Sequence, residues 1–347
     1  MSAVLKITGI SPDTGTSSTD GITDTSHINV LGSGAVANSV VTVFDGVTAL
    51  GTTTANGSGV WTFNYTASTL GDGAHNLTAN DGVNTSGIFT ATIDTSTPAP
   101  TLDTITTDSG KSATDFITSD HTLVLNGTAE AGAEVDAFIN GVSKAFATAD
   151  ASGNYSIDLG SQAVSLADGT YSVQILATDV AGNSHFSGVS SVTVDSTAAA
   201  APVISNIVTD SGRSSSDGVT NQMNFDLHGT AVAGDEVDVY ADGGFVASVT
   251  ADGSGNWTYS ASQGGNTTAD WTAKDVDTAG NVSSASSAFH VVVDVSAPAA
   301  PGTPDLADAS DTGRSQTDDI TKDSTPTVTG TSEGNAIIHV RNGTLLD

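Results

Sequence analysis

The sequence predicts an all-β chain of tandem sandwich domains, and three observations predict it. A short acidic loop returns four times: "DTGTSSTDGIT" from Asp13, "DSGKSATDFIT" from Asp108, "DSGRSSSDGVT" from Asp210 and "DTGRSQTDDIT" from Asp311. Their first aspartates stand 95, 102 and 101 residues apart (13 to 108, 108 to 210, 210 to 311), a period too long for a solenoid repeat and suited to whole domains. Each interval is filled with short alternating apolar runs closed by turn residues, and helical periodicity is absent.

The second interval shows the elements in order. "PTLDTITTD" leads in, and after the acidic loop "HTLVLNGTA" alternates up to the turn "EAGAE". "VDAFI" alternates into Asn140–Gly141, a two-residue hairpin signal because both residues tolerate positive φ. "SKAFATA" turns through "DASGN" into "YSIDL", and "YSVQILATD" turns through "VAGN" into "VSSVTVD". About seven short strands in about 100 residues, with turns every 8–12, is the immunoglobulin-like Greek-key expectation. Trp61, Tyr155 and Trp257 open the fifth strand of successive units and are expected to fill each core. His75, Tyr171 and Trp271 open the sixth, at the place of a sandwich's tyrosine corner. The units divide at 1–97, 98–200, 201–299 and 300–347, the last cut off inside its third or fourth strand.

Charge narrows the partners. Eight basic residues face 39 acidic ones, a formal net charge of −31, which repels nucleic acid and anionic membrane and favours cations. A hydrophobic fraction of 37% with runs such as Val40–Phe44 and Phe289–Val295 argues for folded domains rather than an acidic disordered chain. Without cysteine there are neither disulfides nor thiolate metal sites. No apolar run approaches a membrane span, and the N-terminus shows no cleavable signal, so an export signal would lie outside these residues.

The "GTA" turns at Gly127 and Gly229, the turns "DVAGN" and "DTAGN", and the Asp–Pro linkers "TIDTSTPAP", "TVDSTAAAAP" and "VVDVSAPAAP" resemble those of bacterial immunoglobulin-like domains. The resemblance covers essentially the whole chain. It implies an extender region of a large surface adhesin, exported by type I secretion in the manner of RTX proteins. It also implies an extracellular location in biofilm-type adhesion, with the host or surface ligand bound elsewhere in the parent protein.

Sandwich topology places the acidic loop, and the end of the last strand, at the C-terminal end of each unit. The "AG-x-E", "D-x-SGN" and "D-x-AGN" turns fall at the opposite end. Stacking then brings Asp13, Asp20 and Asp94 toward Asp150, Asp179 and Glu134, and brings Asp108, Asp115 and Asp195 toward Asp252, Asp277 and Glu236. Asp210, Asp217 and Asp294 meet the fourth unit, whose own loop carries Asp311 and Asp318. Two carboxylates about 4 Å apart repel by roughly 1 kcal/mol in water and about 4 at an effective dielectric of 20. Such a cluster calls for a cation, and Ca²⁺, with 6–8 oxygen ligands in irregular geometry, suits it better than Mg²⁺ or Zn²⁺. Taken singly, each aspartate is equally a turn residue, since Asp, Ser, Thr and Gly favour turns; Asp45, Asp72 and Asp168, each before glycine, read that way, and Glu134 and Glu236 read as solvated strand-edge residues ahead of ligands. The first unit departs at its N-terminal end, with "ANDGVN" and Ser39.

Catalysis is not expected. The seven histidines (27, 75, 121, 185, 228, 290 and 339) fall mostly at different places in their repeats, and an active site does not recur in every domain of an array. An alternative function, a glycan- or protein-binding module within one unit, would use exposed aromatics that its siblings lack; Phe186 and Phe245 are the candidates.

Overall fold

The computed structural model describes residues 4–212 and 214–341; Arg213 of the third acidic loop and the end of the fourth unit, 342–347, lie outside. Two compact units result. One runs to Ala201 and includes 231–237 and 274–285; the other comprises Pro202–Thr230, Asp238–Ala273 and the chain from Ser286.

In the first unit, the leading sandwich has strands β1 (Lys6–Ser11), β2 (Ile22–Thr23), β3 (Asn29–Ser33), β4 (Val40–Asp45), β5 (Thr48–Thr54), β6 (Trp61–Asn64), β7 (Gly73–Asn80) and β8 (Phe89–Ile93). They form two sheets, β1-β3-β6 and β2-β8-β7-β4-β5. The next has β9 (Thr104–Thr106), β10 (Ile117–Thr118), β11 (Val124–Thr128), β12 (Glu134–Ile139), β13 (Val142–Thr148), β14 (Asn154–Asp158), β15 (Gly169–Thr178), β16 (Ser184–Phe186) and β17 (Ser190–Val194). Its sheets are β9-β11-β14 and β10-β17-β15-β12-β13, with β16 added on β15.

The third sandwich repeats the plan with β18 (Val203–Val208), β19 (Val219–Thr220), β20 (Asn224–Thr230), β21 (Glu236–Ala241), β22 (Gly244–Thr250), β23 (Asn256–Ser262), β24 (Thr267–Val276) and β25 (Phe289–Val293). Its sheets are β18-β20-β23 and β19-β25-β24-β21-β22. The start of the fourth shows β26 (Asp305–Leu306) paired with β27 (Val328–Thr329).

The fold is the predicted all-β tandem sandwich, with one addition to the expected seven strands. The "Ile/Val-Thr" that closes each of the first three acidic loops is itself a strand, lying parallel to the last strand: Ile22 pairs with Thr92, Ile117 with Thr193, and Val219 with Val292. Two residues are too few to show alternation, which is why the pattern hides them. The consequence is that each of these three loops carries the chain from one sheet to the other.

Packing follows the alternation. Val41, Val43, Leu77, Ala79, Ala91 and Ile93 bury from one sheet of the leading sandwich against Ile28, Val30, Trp61 and Phe63 from the other side. The expected aromatics are buried: Trp61 at 2%, Tyr155 at 4% and Trp257 at 2% exposure. Glycine opposite them makes the space, since a Cβ on Gly32 would stand 2.0 Å from the Trp61 ring, and one on Gly229 2.3 Å from Trp257. The corner is present too: the Tyr171 hydroxyl donates to the Ala167 carbonyl at 2.8 Å, and His75 Nε2 lies 2.7 Å from the Gly71 carbonyl. Asn140 and Gly141 adopt φ of 50° and 76°, as the predicted hairpin between β12 and β13 requires.

Candidate functional site

The acidic loop has one geometry in all four copies. The first aspartate accepts, on Oδ2, the backbone N–H eight residues on: Asp13 from Gly21 at 3.2 Å, Asp108 from Phe116 at 3.2 Å, Asp210 from Gly218 at 3.1 Å and Asp311 from Asp319 at 3.3 Å. The second accepts, on Oδ1, the N–H two residues on: Asp20 from Ile22, Asp115 from Ile117, Asp217 from Val219 and Asp318 from Ile320. Between them the hydroxyl at the second position meets that of the closing threonine, Thr14 with Thr23 at 3.1 Å and Ser109 with Thr118 at 3.2 Å. These bonds explain the repeated letters as a loop held by side-chain caps.

One atom in each copy is left over. Oδ1 of Asp13, Asp108, Asp210 and Asp311 is buried without a hydrogen-bond partner. Burial foremost, with the charge of Asp20 added, holds the Asp13 carboxyl above the ordinary range against the pull of the Gly21 N–H. Asp108 is raised in the same way, by burial and then by Asp115. In the first two loops the second aspartate therefore acts on a first aspartate that carries an unsatisfied oxygen.

Within the first unit the loop of one repeat meets the "AGN" turn of the next. Thr14 Oγ1 donates to the Ala181 carbonyl at 2.9 Å and the Thr16 N–H to Val180 at 3.2 Å. Gly15 makes this possible: its φ is +84°, and a Cβ there would stand 2.0 Å from the Val180 carbonyl oxygen. Asn183 Nδ2 donates to the Asp94 carbonyl at 2.7 Å. The second copy repeats this with Ser109 on Ala279 at 2.6 Å and Asn281 Nδ2 on the Asp195 carbonyl at 2.7 Å.

At the first of these contacts three carboxylates converge. Asp94, Glu130 and Asp179 each place one oxygen within 4.8 Å of the others, Asp179 being only 2% exposed. Asp179 is fixed by its own turn, accepting from Gly182 N at 2.7 Å, Asn183 N at 2.9 Å and Asn183 Nδ2 at 2.8 Å. The Thr97 hydroxyl donates to Glu130 at 3.0 Å. The set joins the end of one repeat to two turns of the next.

The predicted residues thus fall into three groups. Asp94 and Asp179 are gathered, with Glu130 as the third member, while Glu134 stands exposed at the start of β12 opposite Thr148 and Thr178. Asp13, Asp20, Asp108 and Asp115 stay within their loops, as do Asp210, Asp217, Asp311 and Asp318. Asp150 and Asp252 cap their own turns, accepting from Asn154 and Ser152 and from Asn256 and Ser254, bonds that lower both carboxyls. Asp294 accepts from Ser296 N at 2.9 Å. Asp277 binds Asn281 N and Nδ2 at 2.9 Å each, and Asp195 receives Thr197 N at 3.0 Å.

The second copy differs in its charges. Val232 stands where the preceding repeat has Glu130, Asp235 where it has Ala133, Asp275 where it has Ala177, and Lys111 where the preceding loop has Thr16. Asp275 is fully buried and Asp235 7% exposed. Burial foremost, then Asp275 and Asp277, push the Asp235 carboxyl up to about 6, with Lys111 the weakest influence and in the opposite sense. The first repeat's own turn needs no such pair: Asp81 accepts from Val36 N, Asn84 N and Val83 N. Those bonds outweigh burial, which acts the other way, and draw its carboxyl down to about 2.

The aromatics expected of a binding loop lie on strands instead. Phe186, on β16, packs edge-on against Phe138 with centroids 5.2 Å apart, and Phe245, on β22, against Tyr240 at 5.8 Å.

This geometry defines a class, tandem immunoglobulin-like β-sandwiches whose acidic loops touch the next repeat where the contact is described. The chain belongs to the bacterial Ig-like domain family, matching at residues 6–95, 92–196, 198–295 and 298–345. No curated protein sequence matches it. Among solved structures it is similar to one described for host-cell surface retention of a 1.5-MDa bacterial ice-binding adhesin, at 21% identity, covering 85% of this chain and 99% of that one with a TM-score of 0.33. It is also similar to the fibronectin(III)-like modules of Clostridium thermocellum CbhA, at 17% identity, 56% and 94% coverage and a TM-score of 0.34. A third is the FN1–FN3 segment of chicken CNTN1, at 12% identity, 84% and 97% coverage and a TM-score of 0.34.

Proposed function

We propose that these repeats are an extracellular extender of a bacterial cell-surface adhesin, stiffened by Ca²⁺ and projecting a distal adhesive domain. The observation that carries this reading is the Asp94–Glu130–Asp179 set, in which carboxylates from consecutive repeats share one small volume. A cation between its members would remove their mutual repulsion. The donors are all hard oxygens, which suits Ca²⁺. Asp94, Glu130 and Asp179 would hold one ion. The loop pairs Asp13–Asp20, Asp108–Asp115, Asp210–Asp217 and Asp311–Asp318 offer further oxygens, including the four buried Oδ1 atoms that lack a partner.

Asp195, Asp277 and Asp294 belong to the same reading as the equivalents of Asp94 and Asp179. The neighbours in such an array are other repeats of the same chain, and the adhesive ligand is met by another region. Type I secretion and a biofilm role accord with a chain that is acidic and free of cysteine. Catalysis has no part in it.

Each repeat would add roughly 35–45 Å, from strands of about 8–10 residues plus loops. An ion shared by successive repeats would fix their angle and stabilise the fold by mass action. Solution scattering and thermal melting in Ca²⁺ and in chelator test this. Ca²⁺ should lengthen the particle, narrow its distribution and raise the melting temperature. Identical curves in both media would sink the calcium reading.

A further inference from the structure

We propose that the third repeat carries a divalent-cation site of its own, built on the buried carboxylates of Asp235 and Asp275. Asp275 is 0% exposed and Asp235 7%, and their carboxyls lie within hydrogen-bond reach of each other. Asp275 Oδ2 is used, accepting from Val232 N at 3.0 Å, and its backbone N–H donates to Ser283 Oγ at 2.8 Å. Oδ1 of Asp275 is buried with no partner at all. A buried carboxylate oxygen without a donor, facing a second carboxylate, is costly unless positive charge stands between them.

The surroundings do not supply enough of it. Asp277 adds its charge to the pair, and Lys111 acts on Asp235 more weakly than Asp277 does. Glu236 and Val276, next to the pair in sequence, line a cavity of about 420 Å³ together with Lys111, Asp277, Gly110 and Gly280. Around Asp235, one lysine, Lys111, therefore acts against two acids, Asp275 and Asp277. A proton shared by Asp235 and Asp275 would satisfy the orphan oxygen but leave the negative charge of Asp277 acting on the pair. A divalent ion offsets two charges and takes its remaining oxygens from carbonyls and water, as Ca²⁺ does.

The site uses none of Asp94, Glu130 and Asp179, so it stands or falls separately from them. The second repeat has Ala133 and Ala177 at these two places, so the pair belongs to the third repeat and not to the shared frame.

The test is calorimetric titration of the full chain with CaCl₂ at pH 7.5, comparing wild type, Asp235→Ala/Asp275→Ala and Glu130→Gln. The double variant, which installs what the second repeat carries, should lose one Ca²⁺ equivalent. Glu130→Gln should weaken a different one, and the combined variant should show both effects. Unchanged stoichiometry and affinity in the double variant overturn the proposal. A measurement on wild type needs no variant to fold: the carboxyl ¹³C resonances of Asp235 and Asp275 should move saturably with Ca²⁺ at fixed pH. If they respond to pH alone, the pair holds a proton and the cation site is wrong.

Discussion

The contact between the first and second repeats and its second copy share a frame and differ in charge. In both, an asparagine side chain holds the carbonyl of the preceding repeat's terminal aspartate at 2.7 Å: Asn183 on Asp94, and Asn281 on Asp195. A hydroxyl of the acidic loop meets the same turn carbonyl in both, Thr14 on Ala181 and Ser109 on Ala279. Around this frame the first contact collects Asp94, Glu130 and Asp179, while the second has Val232 in place of Glu130 and buries two extra acids, Asp235 just before β21 and Asp275 near the end of β24. The comparison separates two jobs. Backbone-directed bonds set where the next repeat begins, and the carboxylates around them differ between the copies.

The strongest way to break the shared frame is at its glycines. A Cβ on Gly15 or Gly110 would stand 2.0 or 2.1 Å from the carbonyl oxygen of Val180 or Thr278, with φ already at +84° and +94°. Gly15→Ala and Gly110→Ala should each cost about 2–4 kcal/mol and open the contact. Hydrogen exchange would then accelerate in 178–183 or 276–281 while the sandwich cores stay protected. Equal protection in variant and wild type would show that the contact does not depend on this approach.

Exchanging the charges sharpens the difference. Glu130→Val should weaken Ca²⁺ binding at the first contact at least about tenfold, roughly 1.4 kcal/mol. Val232→Glu should add a carboxylate beside Asp277 and raise affinity at the second. Calorimetry on both reads the two effects together, and an unaltered first site would remove Glu130 from it.

A smaller effect is expected at the asparagines. Asn183→Ala and Asn281→Ala each remove one bond to a carbonyl and one to the turn aspartate, for about 1–2 kcal/mol. Because the frame is common, the two losses in chelator should match, as measured by denaturant melts.

The last effect is confined to acid pH and belongs to Asp81, whose carboxylate accepts from three backbone N–H groups and from the Asn84 side chain. Its carboxyl is drawn down to about 2, so its contribution is present above the ordinary carboxylate range and is lost as pH falls through about 2. Asp81→Asn should flatten the acid limb of the stability profile below about pH 4 and leave the calcium response untouched.

Much of this was legible in the letters. The period, the hairpin at Asn140–Gly141, the buried Trp61 and Trp257, and the corner at Tyr171 all follow from spacing and turn chemistry. So does the meeting of Asp94 with Asp179, because sandwich topology sends both to facing ends. Glu130 was not legible: Glu134, four residues on, fits the same argument. The difference is made by the turn at Gly132, with φ of +81°, after which Glu134 is already in β12. The two-residue strands that end the first three acidic loops were hidden for want of length. The Asp235–Asp275 pair was hidden because its members are 40 residues apart and the second repeat has alanine at both places, Ala133 and Ala177.

The sequence by itself determined the sandwiches, their number and the ends at which acid collects. These depend on alternation and turn residues, which act over a few positions. Only the tertiary structure decided which carboxylates face one another and which oxygen lacks a partner. Side-chain direction at a turn is set by one backbone angle, and the burial of an oxygen by chain segments far apart in sequence.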